Sequence, residues 1–189
     1  MSDRSDVPYR FDPDATAAGL KQAYGHLEAG IETDDTVTVA GRLLLRRGQG
    51  KLAFGQLADS TGRIQLFAPA DETERFEDFK HLSLGDWIGV TGEVMTTRKG
   101  ELSVKVREWV VLAETQRPFP DKWHGITDPD TRYRQRYVDL WVTDEARETL
   151  QARSKIVSLV RRWLEDRAFM EVETPALHPV PGGALALSL

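Results

Sequence analysis

"RRGQGKLAFGQLADSTGRIQLF", residues 46–67, decides how this chain is read. Gly48 and Gly50 bracket a tight turn, and Asp59 to Gly62, "DSTG", supplies a second one. Between and after these turns, apolar and polar residues alternate, which is the side-chain period of a strand. The stretch therefore predicts strand, turn, strand, turn, strand. The same alternation extends upstream through "TVTVAGRLLLRR", so the three strands are expected at 36–47, 51–59 and 63–68.

Downstream, "DETERFEDFKHL" (71–82) predicts a short helix with Phe76, Phe79 and Leu82 on one face. Its acidic residues form the wet side. Two further strands are expected at 85–98 and 101–113, joined by a turn at Lys99 and Gly100. Three strands, a helix and two strands predict a five-stranded Greek-key barrel of the OB type. An SH3-like barrel or a sandwich fragment shares part of this pattern. The fold class expected is mainly β with flanking helices.

The flanks read differently. Asp12-Pro13 predicts a helix start, Leu20, Tyr24 and Leu27 follow at helical spacing, and Gly30 ends it. Residues 113–125 hold two prolines and read as a linker. Thr143 is expected to cap a long helix with Ile156, Val160, Trp163 and Leu164 along its apolar stripe. "FMEVETP" (169–175) reads as a strand ending in proline. Four segments result: a polar tail and helix (1–34), the barrel (35–114), a linker (115–142) and a helix–strand unit (143–189).

Composition narrows the functional classes. The chain has 189 residues, a formal net charge of -5 and no cysteine. A polybasic nucleic-acid binder is excluded, because unspecific phosphate binding needs a broad positive field. Disulfides, cysteine-ligated metals and thiol catalysis are excluded too. His26, His81, His124 and His178 lack metal-ligand spacing. No catalytic and no metal constellation emerges. The glycine turn is not a phosphate loop either. Position 45 is Leu rather than Gly, Leu52 follows Lys51, and strands flank the turn. No apolar run reaches the length of a membrane span, and a cytoplasmic location is expected.

The strand faces offer one site. If Ile64 and Leu66 point inward, then Arg63, Gln65 and Phe67 share the outer face. By the same alternation Leu102, Val104 and Val106 point in, and Glu101, Ser103, Lys105 and Arg107 point out. Ala53, Gly55 and Leu57 inward would leave Phe54 outside. An aromatic ring, an amide, a carboxylate and nearby arginines can stack an unpaired base, read its edge and hold its phosphate. The same pattern also fits a solvated strand face, with Phe54 and Phe67 in a core or a subunit contact.

Several stretches resemble one family. "VAGRLLLRRGQGKLAFGQLADSTGRIQLF", "LGDWIGVTGEVMTTRKGELSVKV", "RPFPDKWHGITDPDTRYRQRYVDL" and "RSKIVSLVRRWLEDRAFMEVETPAL…GGA" resemble class II lysyl-tRNA synthetases, in the same order, over residues 36–184. The resemblance implies that the barrel binds a tRNA anticodon loop, the lysine anticodon being rich in uridine. It places the stacking ring on Phe54 and base reading on Arg47, Gln65 and Glu101. The neighbouring basic residues Arg42, Arg46 and Lys51 are the candidate phosphate contacts of this reading. It implies that 143–189 begins the catalytic domain, with motif 1, its proline at Pro175, and a homodimer built through it. The family has Gly where this chain has Ala168, and a left-handed backbone there would cost Ala about 1 kcal/mol. The family uses ATP and magnesium through motifs 2 and 3, which follow the "GGA" stretch; this sequence reads "GGALALSL" and stops. The expectation is an anticodon-binding portion inactive alone, with no cofactor of its own. The alternative is a free-standing OB module that binds RNA or protein.

Overall fold

The computed structural model describes residues 7–117 and 126–176. The linker prolines at 118 and 120, His124, His178 and the "GGALALSL" tail lie outside them. The chain divides into two compact units, Met1–Phe119 and Pro120–Leu189.

The first unit is a closed barrel. Its strands are β1 (Glu32–Gln49), β2 (Leu52–Ala58), β3 (Arg63–Pro69), β4 (Trp87–Thr96) and β5 (Leu102–Ala113). They follow one another around the barrel as β1-β2-β3-β5-β4, and β4 pairs back onto β1. All pairs are antiparallel except β3 with β5. This is the Greek-key order of an OB fold, as the turn spacing predicts. β1 is long enough to close the barrel alone. Its first half pairs with β4 and its second half with β2, and a bulge between Leu43 and Leu45 bends it from one partner to the other. Gly50 and Gly100 hold positive φ angles of 60° and 82° in the β1–β2 and β4–β5 turns, where a side chain would be strained.

Alternation fills the interior. Leu43, Leu57, Leu66, Val90, Val94, Val104 and Val106 are all buried. Each apolar side chain enclosed this way contributes about 1.5–3 kcal/mol. Phe79, from the single-turn helix α2 (Phe76–Phe79), is fully buried in the core and makes an edge contact with Trp109, centroids 5.7 Å apart. The predicted helix over 71–82 is much shorter than expected. Glu72 and Thr73 donate their N–H groups to the Pro69 carbonyl, and Arg75 sits at φ 47°, so helical geometry starts only at Phe76.

Helix α1 (Ala17–Tyr24) also starts later than Asp12-Pro13 predicts. Asp14 and Ala15 donate to the Thr38 carbonyl, and Asp14 accepts the Thr38 N–H at 2.7 Å, so this segment is tied to β1. Thr16 is the cap, and the Asp59 carboxylate accepts the Ala17 N–H at 2.7 Å from the β2–β3 turn. Burial opposes the charge of Asp59. Hydrogen bonds from Ala17, Thr61 and Gly62 outweigh that and hold its carboxyl below the usual range.

The second unit is helical: α3 (Pro129–Arg134), α4 (Arg136–Val142) and α5 (Asp144–Glu165). Two of these fall where the sequence predicts a linker. They are held by Asp139, fully buried, which accepts from Arg132 Nε at 2.9 Å, Arg136 Nη1 at 2.6 Å and Thr143 Oγ1 at 2.9 Å. Burial would raise the Asp139 pKa, but Arg132 and Thr143 as donors and the two arginine charges depress it. Thr143 does occupy the cap position of α5, but its hydroxyl is engaged by Asp139 and does not cap. α5 ends in a Schellman turn: Phe169 N–H meets the Leu164 carbonyl, Ala168 N–H meets Glu165, and Ala168 is left-handed at φ 62°. Residues 169–175 form no paired strand, contrary to expectation, since no described strand lies beside them. Pro175 is exposed.

Candidate nucleic-acid interface

Sheet register brings the outer face together. One cross-strand row runs Arg47, Phe54, Phe67, Lys105. The next runs Leu45, Gln56, Gln65, Ser103. Glu101 lies two residues ahead of Ser103, at the entry to β5. Arg47 and Glu101 are exposed, and Phe54, Gln56, Gln65 and Phe67 are half-buried. The predicted base-contacting residues Arg47, Phe54, Gln65 and Glu101 therefore share one face, bordered by the β1–β2 turn at one end and the β4–β5 turn at the other.

The aromatic pair is ordered. The Phe54 and Phe67 ring centroids are 5.4 Å apart with planes at 64°. An edge-on contact of this kind holds a ring upright and leaves a π-face free to stack. Gln65 Nε2 donates to Ser103 Oγ at 2.9 Å. Glu101 is anchored through its backbone: its carbonyl accepts from Thr97 N–H at 2.9 Å, and its N–H donates to Thr97 Oγ1 at 3.1 Å. The arrangement offers a stacking surface, amide groups, a carboxylate and a guanidinium within neighbouring sheet positions.

The predicted phosphate contacts separate. Lys51 is exposed in the β1–β2 turn, at the end of the hairpin that carries Arg47. Arg46 pairs with Gly55, which faces Leu43 and Leu66 in the interior, so Arg46 points to the side opposite Arg47. Arg42 lies beyond the bulge, with its guanidinium 5.4 Å from the Trp87 ring. Burial lowers its pKa. Arg46 thus leaves the face, while Arg42 stays on its outer side, one row beyond Gln56 and Gln65.

Charge sharpens its outline. Ser103 and Lys105 are on the outer side as predicted, yet both are buried. Lys105 Nζ meets Glu32 at 2.6 Å and Glu72 at 3.4 Å; Arg107 contacts Glu72 and meets Glu93 at 2.7 Å. Burial disfavours the Lys105 charge, but hydrogen bonding and attraction from Glu32 and Glu72 prevail and raise its pKa. Glu72, predicted to be solvated, is part of this network. The edge along β5 is thus internally neutralised. Arg47, Lys51, Arg98 and Lys99 have no ion-pair partner among the described residues, and they stand at the two turns.

Sequence reasoning misses Gln56, which completes a square with Phe54, Phe67 and Gln65. It sits two positions after Phe54, so alternation puts it outside, but only the register shows that it faces Gln65. Arg98 and Lys99 are legible only as a turn until the barrel shows where the turn lies. No cluster of three His, Cys, Asp or Glu able to hold a metal occurs among the described residues.

Comparison with known proteins defines the class. Residues 37–112 match the OB-fold nucleic acid binding domain family, and residues 128–187 match the class II tRNA synthetases of the D, K and N group. In the order of its parts, an OB-fold domain followed by the start of a synthetase domain, the chain is similar to the class II tRNA synthetases of this group. Within that group, the relatives it resembles are lysine–tRNA ligases. It is 48% identical over 184 residues to the lysine–tRNA ligase of Synechococcus sp. RCC307, covering 94% of this chain and 36% of that protein. For the lysine–tRNA ligase of Parasynechococcus marenigrum WH8102 the identity is 47% over 192 residues, covering 97% and 38%. For that of Prochlorococcus marinus MIT 9313 it is 48% over 199 residues, covering 98% and 39%. The chain spans a little over one third of the length of these relatives.

Proposed function

We propose that this chain is the anticodon-recognising portion of an ATP-dependent lysine–tRNA ligase, and that the outer face of β1, β2, β3 and β5 docks the unpaired bases of the anticodon loop. The observation that carries this reading is the convergence of Arg47, Phe54, Gln65 and Glu101 on one face between the two basic turns. Phe54 stacks a base, Gln65 and Glu101 read base edges, and Arg47 and Lys51 contact phosphate or an exocyclic oxygen. Arg98 and Lys99 hold the backbone at the other turn. A face this local reconciles RNA binding with an acidic chain, since only the turns need a positive field.

The helical unit supports the second half of the reading. Ile156, Val160 and Trp163 remain 60%, 54% and 53% exposed on α5, a stripe of the kind that a second subunit covers. We assign it to a homodimer contact, with the segment ending at Pro175. The segments proposed are those of the sequence reading: 1–34, 35–114, 115–142 and 143–189. No helix among the described residues is long and apolar enough to cross a membrane, and the proposed site of action is the cytoplasm. ATP and magnesium belong to the parent family's chemistry. The described residues offer no carboxylate cluster for the metal, and no step of lysine activation is assigned to them.

The test is a titration of the full chain with a lysine anticodon stem-loop. Phe54→Ala should weaken binding by about 1–3 kcal/mol, the worth of one base–aromatic stack, while the variant still folds and unfolds cooperatively. Undiminished affinity in a folded variant would contradict the assignment.

A further inference from the structure

We propose that Ser103 is a positioning residue that fixes the orientation of the Gln65 amide, and so sets this face to accept a hydrogen from the docked base. The proposal rests on the anticodon reading above and adds a specificity device to it.

Ser103 is fully buried, so it cannot touch RNA itself. Its hydroxyl has one proton and two contacts. Oγ lies 3.1 Å from the Glu101 carbonyl oxygen and 2.9 Å from Gln65 Nε2. A carbonyl only accepts, so the hydroxyl proton goes to Glu101. Oγ must then accept from Gln65, which requires the NH2 group of the amide to face Ser103. The reversed amide would set Gln65 Oε1 against Oγ. Turning the hydroxyl to donate to it would leave Oγ facing the Glu101 carbonyl, lone pair to lone pair. The amide is therefore held with Nε2 inward and Oε1 without a partner among the described residues.

The consequence is chemical. An outward amide oxygen selects a base edge that donates. Uracil presents its N3–H there, whereas cytosine presents a bare N3 acceptor. A free amide would flip to satisfy either base and discriminate poorly. The same hydroxyl ties the Gln65 amide to the Glu101 backbone and, through the Thr97 contacts, to the β4–β5 turn. Gln56, directly opposite Gln65, has no such tether among the described residues.

Two measurements on the full chain test this. Without RNA, the Gln65 side-chain amide should show a downfield, exchange-protected proton in a 1H–15N spectrum of the wild type. With RNA, stem-loops carrying uridine, cytidine or 3-methyluridine at the middle anticodon position are titrated. The wild type should prefer uridine over each of the other two by about tenfold. Ser103→Ala should reduce that preference to about twofold while leaving cytidine-loop affinity within twofold. Adding Gln65→Glu to Ser103→Ala should restore the preference, because a carboxylate accepts from either oxygen and needs no orienting. An amide without protection, or a uridine preference that Ser103→Ala leaves intact, refutes the positioning role and leaves the anticodon reading standing. A protected amide in a chain that binds none of the loops refutes the anticodon reading and the specificity role with it.

Discussion

The barrel and the helical unit treat their apolar residues in opposite ways. In the barrel, alternation sends Leu43, Leu57, Leu66 and Val104 inward, where each is enclosed by the other strands. On α5, helical spacing gathers Ile156, Val160 and Trp163 into an equally coherent stripe that stays open to solvent. The barrel closes on itself and needs nothing from outside to complete its core. The stripe on α5 has the order of a core face without its cover, and Asp139, the deeply buried ionisable group among the described residues of its unit, is held by arginine hydrogen bonds. Self-sufficiency in the first unit and incompleteness in the second follow from topology: a closed sheet has no unsatisfied edge, whereas a helix must borrow a surface.

The sharpest way to break this contrast is to truncate matching positions. Leu66→Ala should cost the barrel about 3 kcal/mol by thermal or urea unfolding, through lost burial and the cavity left behind. Val160→Ala at micromolar dilution should leave stability nearly unchanged while lowering self-association in sedimentation. A large loss in the second variant under conditions that keep the chain monomeric would show that α5 is covered from within.

Hydrogen exchange sharpens the same contrast. Amides of β2, β3 and β4 should exchange only on global unfolding, and those of α5 near residues 150–164 much faster in a dilute monomer. Equal protection would erase the distinction.

Acid should separate the units as well. Asp139 has its pKa depressed in the folded state, so its stabilising contribution is complete above the ordinary carboxylate value of about 3.9 and disappears as pH falls below it through the lower folded value. Asp139→Asn should flatten the acid dependence of the helical circular-dichroism signal below about pH 4 and leave the barrel's near-ultraviolet signal as it is.

The smallest expected effect concerns the end of α5. Ala168→Gly should stabilise the Schellman turn by about 1 kcal/mol, because glycine adopts φ 62° without the Cβ clash. No gain would mean that the turn relaxes around alanine.

How much of this was legible beforehand depends on the period of the pattern. Period-two alternation locates five strands and assigns Ile64, Leu66, Val104 and Val106 to the interior, because a sheet with one buried face enforces it. The left-handed turn at Ala168 follows from the family's glycine. Register is not legible: nothing local tells that Gln56 faces Gln65 or that Lys105 lands between Glu32 and Glu72. The bulge in β1 reverses the expected company of Arg46, since one extra residue moves a side chain to the other face. Helix ends fail where long-range hydrogen bonds compete, as when Thr38 takes the segment before Thr16 and Asp139 takes the hydroxyl of Thr143. The helices α3 and α4 were hidden in a stretch whose neighbouring prolines read as linker.

The central claim is that unpaired bases dock on the face shared by Arg47, Phe54, Gln65 and Glu101, and nowhere else on the barrel. Adding the lysine anticodon stem-loop to the isotopically labelled chain and following amide shifts tests it most directly. The account predicts perturbations confined to residues 47–56, 65–67 and 97–103, with the Asp14–Thr38 side of the barrel unmoved. Shifts centred on the β1–β4 face, or none at saturating RNA, would contradict it.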